Sequence, residues 1–162
     1  MESPNQPGEN DVLAAWAPAG MGRIVVVLGQ GVVIHKAIVS GKAGAAGVAR
    51  GVGGALGGAI GGAIAGVVTG TATADELNRS PFIQKVLRNG VDGLLASPRK
   101  TLVRWDEIGS AEYRKLMLGR ARMFLRTKDA EFTLKFLQNT HVAGDPRAVF
   151  AHCLGSRFTD NG

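Results

Sequence analysis

Residues 120–137 read RARMFLRTKDAEFTLKFL, and the alternation in this stretch decides the fold. Ala121, Met123 and Leu125 fall on one side of the first run; Arg120, Arg122, Phe124 and Arg126 fall on the other. In the second run Phe132, Leu134 and Phe136 alternate with Glu131, Thr133 and Lys135. A period of two marks a strand with one face buried and one in water. Thr127-Lys128-Asp129-Ala130 between the runs predicts a hairpin, with Lys128-Asp129 as a two-residue turn. In that register Arg126 faces Glu131, a favourable pair. Arg122 faces Lys135, a like-charge pair that lowers stability unless an anion lies between them.

Working towards the C-terminus, Asp145-Pro146 predicts a helix start, with the carboxylate as cap and proline in the first turn. Val149, Phe150, Cys153 and Leu154 share one side of that helix, and Gly155 stops it. Working backwards, 110–117 and 101–105 read as two more strands, joined by a turn at Asp106-Glu107. Near the beginning, Ile24-Val25-Val26-Val27-Leu28 and Val32–Val39 are rich in branched aliphatics, which suit strands. Gly29-Gln30-Gly31 between them predicts a tight hairpin in which the glycines supply positive φ. Val12–Trp16 is a short apolar run that fits a strand or a helical turn, and residues 1–10 read as a polar, disordered tail.

A different kind of sequence fills residues 40–100. From Gly51 to Ala74 no residue is charged. Gly54, Gly58, Gly62, Gly66 and Gly70 recur every four residues, with Leu56, Ile60, Ile64 and Val68 on another side. As a helix, this segment has a bare glycine groove and an aliphatic ridge, the small-xxx-small spacing that lets backbones approach closely. Each glycine costs a helix about 0.8–1 kcal/mol relative to alanine. The segment therefore needs a packing partner, a membrane or a second copy; otherwise it is a flexible insertion. It resembles the glycine-zipper segments of membrane-associated bacterial proteins, and spans 41–74. A helix follows at 75–90, capped by Ser80-Pro81 and ended at Asn89-Gly90, and 91–100 reads as a loop.

Seven antiparallel runs followed by a C-terminal helix resemble the pleckstrin-homology-like barrel, and most closely its bacterial PH-like form. The resemblance rests on Val12–Trp16, on the hairpin Ile24–Lys36, and on Leu102-Val103-Arg104-Trp105-Asp106-Glu107-Ile108. The last carries a hydrophobic–x–x–aromatic–x–x–Ile spacing. The expected fold class is α+β, mainly β: a seven-stranded antiparallel barrel or sandwich capped by a helix, one domain over 11–156 interrupted by the 40–100 insertion. The resemblance implies a binding or scaffolding module, not an enzyme. A single straight membrane-spanning helix at 51–74 would put the two halves of such a barrel on opposite sides of a bilayer.

Composition narrows the chemistry. The chain has 162 residues, which suits one domain, and 24 glycines where about 11 are usual. Cys153 is its lone cysteine, so no intramolecular disulfide or cysteine-based zinc cluster can form. His35, His141 and His152 lack metal-ligand spacing, and no phosphate-loop motif occurs, so no metal, cofactor or catalytic constellation is expected. The opening MESPNQPGEN has no basic residue and reads as neither secretory signal nor transit peptide, which predicts a cytoplasmic protein, peripheral at the inner membrane face if it meets lipid.

Net charge is +6, and residues 99–128 alone hold nine Lys/Arg against Asp106, Glu107 and Glu112. Such a surface favours anionic partners. The expected binding residues are Arg120, Arg122, Arg126, Lys135 and Phe124, contacting lipid head groups or an acidic protein. Gly54, Gly58, Gly62, Gly66, Gly70, Ile60 and Ile64 are the expected self-association or membrane residues of a homo-oligomer. A membrane-active, pore-type protein with the glycine segment as its working part is the alternative. Nucleic acid is a poor fit, because Phe124 is the one clear aromatic among the cations.

Overall fold

In the computed structural model, residues 8–17, 23–36, 71–138 and 140–162 are described. The fold is α+β and mainly β, built from two sheets that do not close into a barrel. Nine strands are present among these residues, not seven. They are β1 (Val12–Ala17), β2 (Arg23–Leu28), β3 (Gly31–Lys36), β4 (Lys100–Arg104), β5 (Ile108–Lys115), β6 (Ala121–Thr127), β7 (Glu131–Phe136), β8 (His141–Ala143) and β9 (Phe158–Asn161). One sheet runs β4-β3-β2-β1-β8 and the other β7-β6-β5-β9. The two strands unforeseen in sequence, β8 and β9, are short and lack alternation over any useful length. β8 pairs antiparallel with β1, and β9 pairs parallel with β5.

The sheets pack face to face around one core. Trp16, Val25, Val27, Val32 and Val103 of the first sheet meet Ala111, Met123, Leu125, Leu134 and Phe136 of the second. Trp16 is fully buried and stacked on Phe136, with ring centroids 4.6 Å apart. Helix α4 (Pro146–Leu154) closes this core with Val149, Phe150 and Leu154. Its cap is as the sequence predicts: the Asp145 carboxylate accepts the Ala148 N–H.

A second core lies on the opposite face of the five-stranded sheet. Val12, Ala15, Ile24, Val26, Leu28 and Val33 pack there with Leu77, Ile83, Leu87 and Leu94. Those last four come from three short helices and their ends: α1 (Ala74–Asn78), α2 (Pro81–Val86) and α3 (Gly90–Ala96). The helix expected over 75–90 is thus divided, and the expected loop at 91–100 holds a third helix. Ser80 caps α2, accepting the Ile83 N–H, and by that cap it ends α1 and turns the chain. Gly90 has φ 74 and begins α3 where a helix end was expected.

Burial on both faces explains why β1–β3 are almost continuously apolar, whereas β6 and β7 alternate. The β2–β3 hairpin has the expected tight connection, a two-residue loop at Gly29-Gln30. Of its two glycines Gly31 has the expected positive φ, at 159, and Gly29 does not; Gly31 also allows close approach, since a Cβ there would strike the Val103 carbonyl. Residues 8–10, read as part of a tail, pack on this hairpin. The Gln30 N–H donates to the Glu9 carbonyl at 3.0 Å, and the Gln30 amide to Asn10 Oδ1 at 2.7 Å. The glycine-zipper reading, with Gly54, Gly58, Gly62, Gly66, Gly70, Ile60 and Ile64, lies outside the described residues.

Candidate functional site

The outer face of the four-stranded sheet is assembled by register. Arg122 of β6 lies opposite Lys135 of β7 and, on its other side, opposite Arg114 of β5. One row across the sheet therefore reads Lys135–Arg122–Arg114. The next reads Thr133–Phe124–Glu112, and the one after it Glu131–Arg126–Ser110. Three adjacent cations in one row repel one another.

Carboxylates neutralise only part of this face. Glu131 accepts the Arg126 guanidinium at 2.8 Å. Glu112 accepts Arg114 at 2.8 Å and Asn161 at 2.9 Å, with Arg126 at 3.9 Å. These hydrogen bonds, Arg114 first, hold the Glu112 carboxyl below its usual range. The Glu131 hydrogen bond raises the Arg126 guanidinium further. Arg126 is thus committed within the sheet, although the sequence made it a ligand residue. Phe124 is half-buried, with the Arg114 guanidinium 5.4 Å over its ring. The side chains of Arg122 and Lys135 are exposed and make no ion pair or hydrogen bond among the described residues.

The row ends beside the β5–β6 turn, whose role sequence reasoning missed by running the strand to Met117. The Leu116 N–H donates to the Arg120 carbonyl at 2.8 Å, and Met117-Leu118-Gly119-Arg120 forms the tip. Leu118 (φ 61) and Gly119 (φ 69) are both left-handed, the pattern of a type I′ hairpin turn. Asn, Asp or Gly normally takes the first of these places. A leucine there costs about 1–2 kcal/mol. It is the one described non-glycine residue with positive φ. Met117 is 82% exposed and Leu118 73%, and Lys115 and Arg120 flank them, both exposed. The visible signal was Leu118-Gly119 standing where Asn-Gly is the usual pair.

Other chemistry-bearing groups are placed apart. Cys153 lies on α4, half-buried, and burial pushes its thiol up to about 11, so it is a weak nucleophile. Trp105 donates its indole N–H to the Gly29 carbonyl, and Arg157 bonds the Trp105 and Ile108 carbonyls. These join the two sheets. No group of three His, Cys, Asp or Glu among the described residues could hold a metal ion. No helix among them is long and apolar enough to cross a membrane. No family model matches the chain, and neither does any curated protein or solved structure.

Proposed function

We propose that this chain is a non-enzymatic binding module that docks on an anionic membrane surface through the β5–β6 tip and the cation row beside it. The observation that carries this reading is the pair Met117 and Leu118, exposed at a strained turn and flanked by Lys115, Arg120, Arg122 and Lys135. An apolar tip ringed by cations suits a bilayer interface better than an acidic protein face. The side chains enter the acyl boundary while the cations remain at head-group level. Each apolar side chain contributes about 1.5–3 kcal/mol when fully buried, and each cation about 1 kcal/mol near an anionic leaflet. That total suits reversible, peripheral attachment at the cytoplasmic leaflet.

The PH-like reading of the fold belongs to the same proposal. It is supported by the meanders β1–β4 and β5–β7 in separate packed sheets and by a helix, α4, at the open end of their core. The glycine repeat at 54–70 supports a further role in self-association or membrane contact, and on that repeat alone rests the alternative of a pore-type protein.

Co-sedimentation of the full chain with vesicles tests the docking. Binding to phosphatidylglycerol–phosphatidylcholine vesicles, loss on pure phosphatidylcholine, and weakening in both Met117→Ser/Leu118→Ser and Arg122→Glu/Lys135→Glu are the expected results. Equal binding by both variants, or none by the unaltered chain, overturns the reading. Retained binding by the serine variant alone would assign the attachment to the cation row and overturn the role of the apolar tip.

A further inference from the structure

On the opposite side of the molecule, a cavity of about 320 Å³ lies between the end of β3 and the short helices. His35, Lys85, Asn89, Ser97 and Arg99 supply its polar wall, and Val86, Leu94 and Pro98 its apolar one. No carboxylate lines it among the described residues. Lys85 and Arg99 form no ion pair among the described residues, so two positive charges face it without a counter-ion. The Asn89 side chain, at the start of α3, makes no capping hydrogen bond.

The His35–Ser97 pair is held in one geometry. His35 Nε2 lies 3.0 Å from Ser97 Oγ, and Ser97 Oγ also accepts the Arg99 N–H at 3.2 Å. Whichever ring nitrogen carries the proton, the buried Nδ1 of His35 has no partner among the described residues. Burial first, and then the Arg99 charge, keep the ring below its usual pKa. Lys100, which faces His35 across the β3–β4 ladder, and Lys36 beside it add further positive charge. Polar donors and cations opposite a small apolar wall describe a site for an organic anion.

We infer that this cavity binds the phosphate of a small phosphomonoester, with Lys85 and Arg99 on its oxygens and the apolar wall against its organic part. Two uncompensated cations match a dianion better than a monoanion. Apart from His35 at the end of β3, the lining comes from α2, α3 and the residues flanking them, outside the pieces that carry the PH-like resemblance. The site is independent of the membrane-docking face.

Titration of the full chain, followed by NMR of the His35 ring, tests it. Inorganic phosphate and glycerol 1-phosphate are expected to give saturable shifts and to raise the His35 pKa by about one unit, because a nearby anion favours the charged ring. Chloride at equal ionic strength should do neither. Lys85→Gln/Arg99→Gln is expected to weaken phosphate binding about tenfold or more, while Lys128→Gln, in the exposed β6–β7 turn, leaves it unchanged. Dihexanoyl phosphatidic acid, kept monomeric, separates the sources: tighter binding than glycerol 1-phosphate assigns the group to a lipid, and equal or weaker binding to a soluble ester. Phosphate shifts no larger than those of chloride, or a double variant that binds as well as the unaltered chain, would overturn the inference. The chloride comparison decides even where the double variant fails to fold.

Discussion

Arg122 and Lys135 stand directly opposite each other on neighbouring strands, two cations on one exposed face with no carboxylate between them. Arg114 continues the row on the far side of Arg122, but Glu112 holds that guanidinium. A sheet optimised for stability alone would pair Lys135 with an acid, as the same ladder does for Arg126 and Glu131.

Replacing Arg122 with glutamate should therefore move two properties in opposite directions. The introduced carboxylate would face Lys135, and thermal or urea unfolding is expected to show a gain of about 0.2–1 kcal/mol. Binding to anionic vesicles is expected to fall, and to lose part of its salt dependence. A loss of stability with unchanged binding would show the arginine to be structural.

Leu118→Gly separates strain from contact at the turn. Glycine takes φ near 60° at no steric cost, so the hairpin should gain about 1 kcal/mol or somewhat more in a denaturant series. Removal of the exposed side chain should weaken vesicle binding at the same time. Met117→Ser, which relieves no strain, should leave stability within about 0.5 kcal/mol.

The inter-sheet core gives a purely structural contrast. Phe136 stacks on Trp16 and meets Tyr113 edge-on at 5.8 Å. Phe136→Ala removes both ring contacts and opens a cavity. Chemical denaturation is expected to show a loss of about 3–5 kcal/mol, with vesicle binding per folded molecule unchanged.

His35 sets a pH response. Its folded pKa lies below the unfolded one near 6.5, so below that pH the unfolded chain binds more protons. Stability is expected to fall as pH drops from about 6.5 and to level off below the folded pKa. His35→Gln should flatten this window in a pH series of melting curves. Saturating phosphate should make the fall shallower, since the bound anion stabilises the charged ring.

Cys153 should alkylate slowly in the native chain at neutral pH, because burial holds its thiol protonated. Unfolding in urea should restore the rate of an ordinary thiol, measured with iodoacetamide. Rapid native alkylation would contradict the placement of Cys153 against the core.

Much of the β framework was legible because it is written in local periods. Alternation in 120–137 specifies both the strands and their buried faces, and the turn length specifies that Arg122 meets Lys135. The caps at Ser80 and Asp145 were equally legible, since an oxygen that accepts an N–H three residues on is a local device. Strands β8 and β9 were not. His141–Ala143 becomes a strand because the edge of β1 is open to it, and Glu76 fixes its neighbourhood by accepting the Gly144 N–H. Phe158–Asn161 is tied to β5 by Asn161 on Glu112 and to α4 by the two-pronged Arg147–Asp160 pair at 2.8 Å.

By itself the sequence determined the hairpins, the inward and outward sets of β6 and β7, and the positive excess over 99–128, because each is a property of neighbours along the chain. Only the tertiary structure decided that α1–α3 cover the far face of the first sheet, that His35 meets Ser97 from 62 residues away, and that the exposed Met117-Leu118 tip ends the cation row. Those depend on which surfaces are left uncovered once the two sheets and the helices have packed, and no local period encodes that.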